Sequence, residues 1–209
     1  MSPRRGMTLA ELLIALAITT IVGAGVVAMT DAVARVLEVG RSERERTIAS
    51  AVAATRLTSI VAPCSCALEV GPDTTVLWRG DTRRDGHVQA TELGWVRHDA
   101  ATGELLFEWV EFPSSWSARD REDADQTCDR DENWSLVRSE YLQAGHLNNC
   151  VLLDGLAWIE PAIPEQECDD PLSIRRLAWR LGWQGVEGID SSTVVAGGLH
   201  AHVIPEEDG

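Results

Sequence analysis

Residues 5–29 read Arg-Gly-Met-Thr-Leu-Ala-Glu-Leu-Leu-Ile-Ala-Leu-Ala-Ile-Thr-Thr-Ile-Val-Gly-Ala-Gly-Val-Val-Ala-Met, and this stretch decides the fold. The 18 residues from Leu12 to Met29 carry no charge, which is close to the shortest helix that spans a bilayer. The preceding Arg4 and Arg5 favour a cytoplasmic N-terminus and an exported remainder. Glu11 stands at the start of the apolar run, where a carboxylate is costly without a partner. A secretory signal peptide would have no such acid and would end in a small-residue cleavage site.

The order of these features resembles the N-terminus of type IV prepilins, a family that includes pilins and the pseudopilins of type II secretion. The resemblance implies that a prepilin peptidase cuts after Gly6 and methylates the new N-terminal amine of Met7. Glu11 then becomes the fifth residue of the mature chain. The family usually has Phe at the position of Met7, which is a small departure. An ordinary signal anchor with a stray acid is the alternative interpretation.

The resemblance gives Glu11 a physical role in assembly. After cleavage, the Met7 amine is a cation at a helix end in lipid, and the subunits stack as parallel helices. The Glu11 carboxylate of one subunit then neutralises the Met7 amine of a neighbour. Because an unpaired charge is very unfavourable at low dielectric, this pair also sets the axial register of the filament.

Helical periodicity continues well past the apolar run and ends near Val61, shortly before Pro63. The resemblance implies an α+β, pilin-like fold in which a long N-terminal helix packs against an antiparallel β-sheet. We expect four segments along the chain: a leader peptide (1–6), a transmembrane and assembly half of the helix (7–30), an amphipathic half (31–62) and an exported, β-rich globular domain (63–209).

The exported part alternates between strand patterns and turn signals. It predicts a strand at 74–78, a hairpin from 93–98 to 104–110, an acidic surface excursion at 113–134 and a helix from Ser135 to Ala144 capped at Ser135. It further predicts a single strand at 150–159 and a last hairpin built from 176–183 and 192–202. The Leu-Leu-Asp-Gly stretch followed by an amphipathic hairpin loosely resembles the J-type minor pseudopilins.

Charge and cysteine usage restrict the function further. The formal net charge of −15 argues against direct binding of nucleic acid. All five cysteines follow the membrane segment, where disulfides are permitted, so four can pair and one is left over: Cys64, Cys66, Cys128, Cys150 and Cys168. Cys64 and Cys66 are too close in sequence for an easy mutual bridge, so we expect at least one to reach a distant partner. No CxxC spacing or nearby His supports a zinc site instead.

The segment 81–92 is similar to the calcium loop of EF-hands. Acids fall at loop positions one, five and twelve, with Gly86 at six and an apolar residue at eight. This pattern predicts a structural calcium ion held by side chains or carbonyls of five residues: Asp81, Asp85, His87, Gln89 and Glu92. Arg83 departs from it, since an oxygen ligand belongs at loop position three. A plain Asp-Gly turn between two strands is the alternative.

No nucleophile elbow, P-loop or HExxH helix is present, so no catalytic residues are expected. The sequence therefore predicts a non-enzymatic subunit of a type II secretion pseudopilus. We expect it to wait in the inner membrane with its C-terminal domain in the periplasm and to join a filament after processing. Its expected partners are the prepilin peptidase and other pilin or pseudopilin subunits. The alternatives are a minor type IV pilus subunit for adhesion, motility or DNA uptake, and a membrane-tethered binding module.

Overall fold

The computed structural model describes residues 9–129, 132–163, 171–185 and 188–199. The chain divides into two compact units, one ending at Thr47 and one beginning at Ile48. Helix α1, Leu9–Val61, contains residues of both and is 53 residues long. Its C-terminal limit agrees with the periodicity of the sequence. The predicted segment boundaries at residues 6, 30 and 62 stay predictions.

In the first unit, the described apolar side chains of α1 are exposed. Leu13 is 58% exposed, Val22 59% and Met29 72%. Within the described part of the chain, no helix combines the length and the apolarity of a membrane span. This unit therefore has no hydrophobic core of its own among the side chains that the structure describes.

The second unit is built on a five-stranded antiparallel sheet in the order β1-β2-β4-β5-β7. Its strands are Cys66–Val70 (β1), Thr74–Trp78 (β2), Leu93–Asp99 (β4), Glu104–Val110 (β5) and Leu147–Leu153 (β7). The predicted hairpin is confirmed, since β4 pairs with β5 from Gly94 opposite Trp109 to Asp99 opposite Glu104. The α+β fold class is confirmed as well.

Side chains alternate along these strands, so the sheet has a core on each face. On one face, Ala53, Leu57 and Val61 of α1 join a cluster with Leu77 and Leu105. On the other, Trp78 and Trp95 pack in a second cluster with Val137 and Tyr141. Those last two residues belong to helix α3, Trp134–Ala144. The tryptophans Trp78, Trp95, Trp134 and Trp179 are thus core residues.

Two smaller sheets complete the unit. Strands β8 (Leu156–Pro161), β9 (Arg176–Gly185) and β10 (Gly188–Gly198) form a three-stranded antiparallel sheet in the order β10-β9-β8. Strand β3 (Val88–Gln89) pairs with β6 (Thr127–Cys128), which ties residues 127–128 of the acidic excursion to the loop at 81–92. The excursion also contains the short helix α2, Ala118–Ala124.

Three of the predicted elements were wrong in detail. The single strand at 150–159 is two strands, β7 and β8, which lie in different sheets and are separated at Gly155 (φ +70°). Helix α3 is capped by Asn133, whose side chain accepts a hydrogen bond from the Leu136 amide, and not by Ser135. The last strand begins at Gly188 instead of Ser192, because β9 and β10 pair up to Gly185 opposite Gly188.

Candidate functional site

The predicted processing and assembly residues lie at the start of the chain. Gly6 and Met7 fall outside the described residues. Glu11 lies in the first turns of α1, but its side chain is also outside the described set. The structure therefore places Glu11 on the helix and does not test its role. Its described neighbours Leu9, Leu13 and Leu16 are exposed by 75%, 58% and 63%.

The first two acids of the calcium-like loop hold its turn through backbone amides. Asp81 accepts hydrogen bonds from the amides of Asp85 (3.2 Å) and Gly86 (2.9 Å). Asp85 accepts one from the amide of His87 (3.0 Å), and its other oxygen is 3.5 Å from the side-chain amide nitrogen of Gln89. Two loop residues adopt positive φ near this point, Arg84 (+57°) and Gly86 (+78°). The sharp turn expected at loop position six is thus present.

The third acid, Glu92, is 2% exposed, and both of its carboxylate oxygens are bound by protein donors. Its Oε1 accepts hydrogen bonds from the amide (2.5 Å) and hydroxyl (2.7 Å) of Thr82. Its Oε2 accepts from the indole N–H of Trp78 (3.0 Å) and the amide of Gln89 (3.3 Å). Four donors therefore occupy the lone pairs that a bidentate calcium ligand would use.

Of the other two predicted ligands, Gln89 is engaged elsewhere in the described structure and His87 is not. The side-chain oxygen of Gln89 accepts from the Thr127 hydroxyl (3.1 Å), and His87 is exposed. Within the described residues, no three acidic, histidine or cysteine side chains converge on a point that suits a metal ion. As placed, this donor set does not fit calcium. Calcium binding at the loop stays a prediction that only a titration tests.

An ion pair at this loop was not foreseen from the sequence. Arg83, at the loop position where a ligand oxygen was expected, donates to Asp125 at 2.7 Å. Asp125 is 8% exposed and also accepts hydrogen bonds from the amide and hydroxyl of Thr91. The departure of Arg83 from the calcium pattern was the signal that pointed here. The identity of its partner was not readable, because 42 residues separate the two in sequence.

The cysteines occupy contrasting environments. Cys64 and Cys66 lie in clusters on the two faces of the sheet, and Cys128 shares the cluster of Cys66. Burial raises the pKa of Cys64 to about 11 and that of Cys66 and Cys128 to about 12, so these thiols stay protonated at neutral pH. Cys150 is exposed on β7, and all four are free in the structure. Cys168 lies outside the described residues, and every disulfide stays a prediction.

A second buried charge cluster, also missed from the sequence, joins the sheet to α3. Glu108 on β5 is 3% exposed and receives a bidentate contact from Arg138 at 2.5 and 2.7 Å. Arg97 on β4 lies 3.4 Å away. Burial raises the pKa of Glu108, but the hydrogen bonds and charge of Arg138 and then Arg97 outweigh it, so the pKa lies below the ordinary value of 4.5. This cluster thus links strands β4 and β5 to helix α3 through buried charges.

An open cavity of about 600 Å³ lies where the β4–β5 turn meets the start of β8. Its lining comes from two short segments: Ala100, Ala101, Thr102, Gly103, Gly155, Leu156 and Ala157. These side chains supply no acid, base or strong nucleophile, so the cavity gives no basis for a catalytic site.

Comparison with known proteins bears on the N-terminal segment. A family model described as the prokaryotic N-terminal methylation motif matches residues 1–27. No curated protein and no solved structure matches the chain. The matched residues include Gly6, Met7 and Glu11, and they precede or enter α1. The chain thus carries the N-terminal methylation motif, the hallmark of type IV prepilin-like proteins, ahead of an α+β domain that fits a pilin-like fold.

Proposed function

We propose that this chain is a structural subunit of a type II secretion pseudopilus or a related filament. The prepilin peptidase cleaves it after Gly6, Met7 is N-methylated, and the mature subunit assembles through its N-terminal helix. The observation that carries this proposal is the methylation motif at residues 1–27, which runs directly into the long helix α1.

The exposure of α1 supports assembly through this helix. In the first unit, described apolar side chains on several sides of the helix are exposed, among them Leu16, Ile18, Val26 and Val27. A helix that is apolar on all sides needs a lipid or protein environment around it. A membrane provides that environment before assembly, and neighbouring helices provide it afterwards.

Location and partners follow from this proposal. Before processing, the chain is held in the inner membrane as a single-pass protein, and its β-rich unit lies in the periplasm. After processing, Glu11 pairs with the Met7 amine of an adjacent subunit, which fixes the axial register. The partners are the prepilin peptidase and other pilin or pseudopilin subunits. The motif favours a structural role over an enzymatic one.

The intact mass of the mature protein tests the processing step. Protein purified from cells that contain a prepilin peptidase is expected to lack residues 1–6 and to carry one added methyl group. The matched control is a Gly6→Val variant, which is expected to keep its leader because the resemblance places the cut directly after this glycine. A wild-type mass that still includes residues 1–6 would overturn the proposal.

A type IV pilus subunit is the second candidate, because the same motif serves both kinds of filament. The loose resemblance of residues 152–202 to J-type minor pseudopilins favours the secretion filament. Deletion of the gene separates the two. Loss of protein secretion with normal surface pili supports the pseudopilus, whereas loss of motility, adhesion or DNA uptake with normal secretion supports the pilus. A membrane-tethered binding module predicts a chain that never enters filament fractions.

A further inference from the structure

The loop at 81–92 meets the acidic excursion through the one position that departs from the calcium pattern. Arg83 reaches Asp125 at 2.7 Å, and its side chain remains about one third exposed while that of Asp125 is 4% exposed. In a calcium loop of this spacing, an oxygen ligand would stand at position three and point inward. Here that position holds a cation that points towards a different segment of the chain.

Asp125 needs such a cation, because it is a buried carboxylate. Its Oδ1 accepts from the Thr91 amide at 3.0 Å, and its Oδ2 accepts from the Thr91 hydroxyl at 2.8 Å and from Arg83. Hydrogen bonds from neutral donors reduce the cost of burial but leave the charge uncompensated. Arg83 supplies the compensating charge, so the pair as a whole is neutral.

At the other end of the loop, the buried carboxylate of Glu92 is likewise bound by donors of the protein itself. If its carboxylate turned towards a metal, the buried indole N–H of Trp78 and the donors of Thr82 would lose this acceptor. Removing a partner from a buried polar group costs free energy, because the group cannot turn to water instead. The contacts therefore oppose the rearrangement that calcium would need.

The excursion is attached to the loop at further points around Asp125. The Ala90 amide donates to the Gln126 carbonyl at 2.9 Å, and Val88 pairs with Cys128. The Tyr141 hydroxyl of α3 donates to the Ala124 carbonyl and accepts from the Gln126 amide. The loop, the excursion and α3 thus share one hydrogen-bond network, and this network includes the Arg83–Asp125 ion pair.

We propose that Arg83 performs in this loop the task that calcium performs in loops of similar spacing. It supplies the positive charge that closes the loop, and it does so by binding Asp125 of the excursion. The loop and the excursion then form one structural unit that is complete without a metal ion. This inference is independent of which filament the subunit joins.

A calcium titration of the full-length wild-type chain in detergent micelles tests the proposal first. The melting temperature is expected to be the same in chelator and in millimolar calcium. A rise in calcium that the Asp81→Asn variant abolishes would overturn the proposal and establish the calcium site instead. This measurement does not depend on any variant of Arg83 folding.

Substitution of the arginine tests the ion pair directly. Arg83→Met is expected to lower the melting temperature by roughly 4–10 °C, because it leaves the buried Asp125 charge without its partner. Arg84→Met is the matched control, because it removes the same charge from a neighbouring exposed side chain. Equal effects of the two variants would overturn the proposal.

A double-mutant cycle with Asp125→Asn completes the test. If the two residues act through each other, Arg83→Met is expected to cost much less in the Asp125→Asn background than in wild type. Losses that simply add would show that the two side chains act independently, and the proposal would fail.

Discussion

Similar apolar side chains differ in exposure between two stretches of helix α1. In the first unit Leu16 is 63% exposed, whereas Leu57, in the second unit, is fully buried against the sheet. Both are leucines in a regular helix, so helix propensity does not distinguish them. The difference is that the second unit has its own sheet to bury an apolar face. The described side chains of the first stretch have no such sheet around them, and the proposed membrane and filament would supply that cover.

The largest expected effect concerns the contacts that the first stretch is proposed to make with neighbouring subunits. Glu11→Ala is expected to reduce incorporation into filaments more than about tenfold, because removing one partner of a desolvated ion pair costs about 3–5 kcal/mol. Leader cleavage should continue, as measured by intact mass. The control is Glu38→Ala, which removes an acid from the same helix beyond the apolar run. Normal incorporation of the Glu11 variant would contradict the register argument.

The next prediction compares the two leucines themselves. Leu57→Ala is expected to lower the free energy of unfolding by about 2–5 kcal/mol, since it opens a cavity in a packed core. Leu16→Ala is expected to change the same quantity by less than about 0.5 kcal/mol, because its side chain is exposed in the single subunit. Denaturant unfolding of both variants in detergent measures the difference. Similar losses would show that the first stretch has an internal packing partner.

A third prediction concerns the buried charge cluster of the second unit. Arg138→Met is expected to destabilise the fold by about 2–3 kcal/mol near neutral pH, because Glu108 stays buried and only the more distant Arg97 remains. The matched control is Arg119→Met, whose ion pair with Asp123 is 3.8 Å long and largely exposed. That variant should be nearly neutral. Equal melting temperatures for the two variants would contradict the role of Arg138.

The same cluster predicts a pH dependence. The pKa of Glu108 is lower in the fold than its ordinary value of 4.5, so its stabilising contribution is complete above that value. The contribution is lost as pH falls through the folded-state pKa. Melting temperatures of wild type and Arg138→Met should therefore differ most above pH 4.5 and converge as pH falls below that value. A constant difference across this range would show that Glu108 does not titrate with the fold.

The last prediction compares two glycines, one from each unit. Gly94→Ala should cost about 1–3 kcal/mol, because its new Cβ would lie 2.7 Å from the ring of Phe107. Gly23→Ala meets nothing within 4 Å and should stabilise the isolated subunit by up to about 1 kcal/mol through helix propensity. Unfolding measurements on both variants show whether the first stretch is as open as its exposure indicates.

The sequence was most informative where a feature is local. The methylation motif, the end of α1 near Val61 and the β4–β5 hairpin were all predicted, because each depends on neighbouring residues. The break between β7 and β8 was missed, because apolar residues continue on both sides of Asp154-Gly155 and periodicity does not show a change of sheet. Asn133 was missed as a cap because Ser135 satisfies the same rule two residues later.

The buried ion pairs could not be predicted from the sequence, for a different reason. Arg83 and Asp125, like Glu108 and Arg138, are far apart in sequence and meet only once the excursion and α3 cover the sheet. A single sequence shows that a charge is unusual at a position but not which residue neutralises it. The predicted roles of Gly6, Met7 and Glu11 rest on the motif alone, because they concern a peptidase and neighbouring subunits outside this chain.

The order of the five-stranded sheet has a consequence for how the unit folds. Its strands follow one another in chain order. The β1–β2 and β4–β5 connections are short, the β2–β4 connection contains the loop at 81–92, and the longest connection, from β5 to β7, contains the excursion and α3. Shorter closures lose less chain entropy, so pairing from β1 to β5 is expected to precede the addition of β7. Addition of β7 then becomes the slow step. A chain arrested before that step would expose the edge of β5, which is a ready template for aggregation.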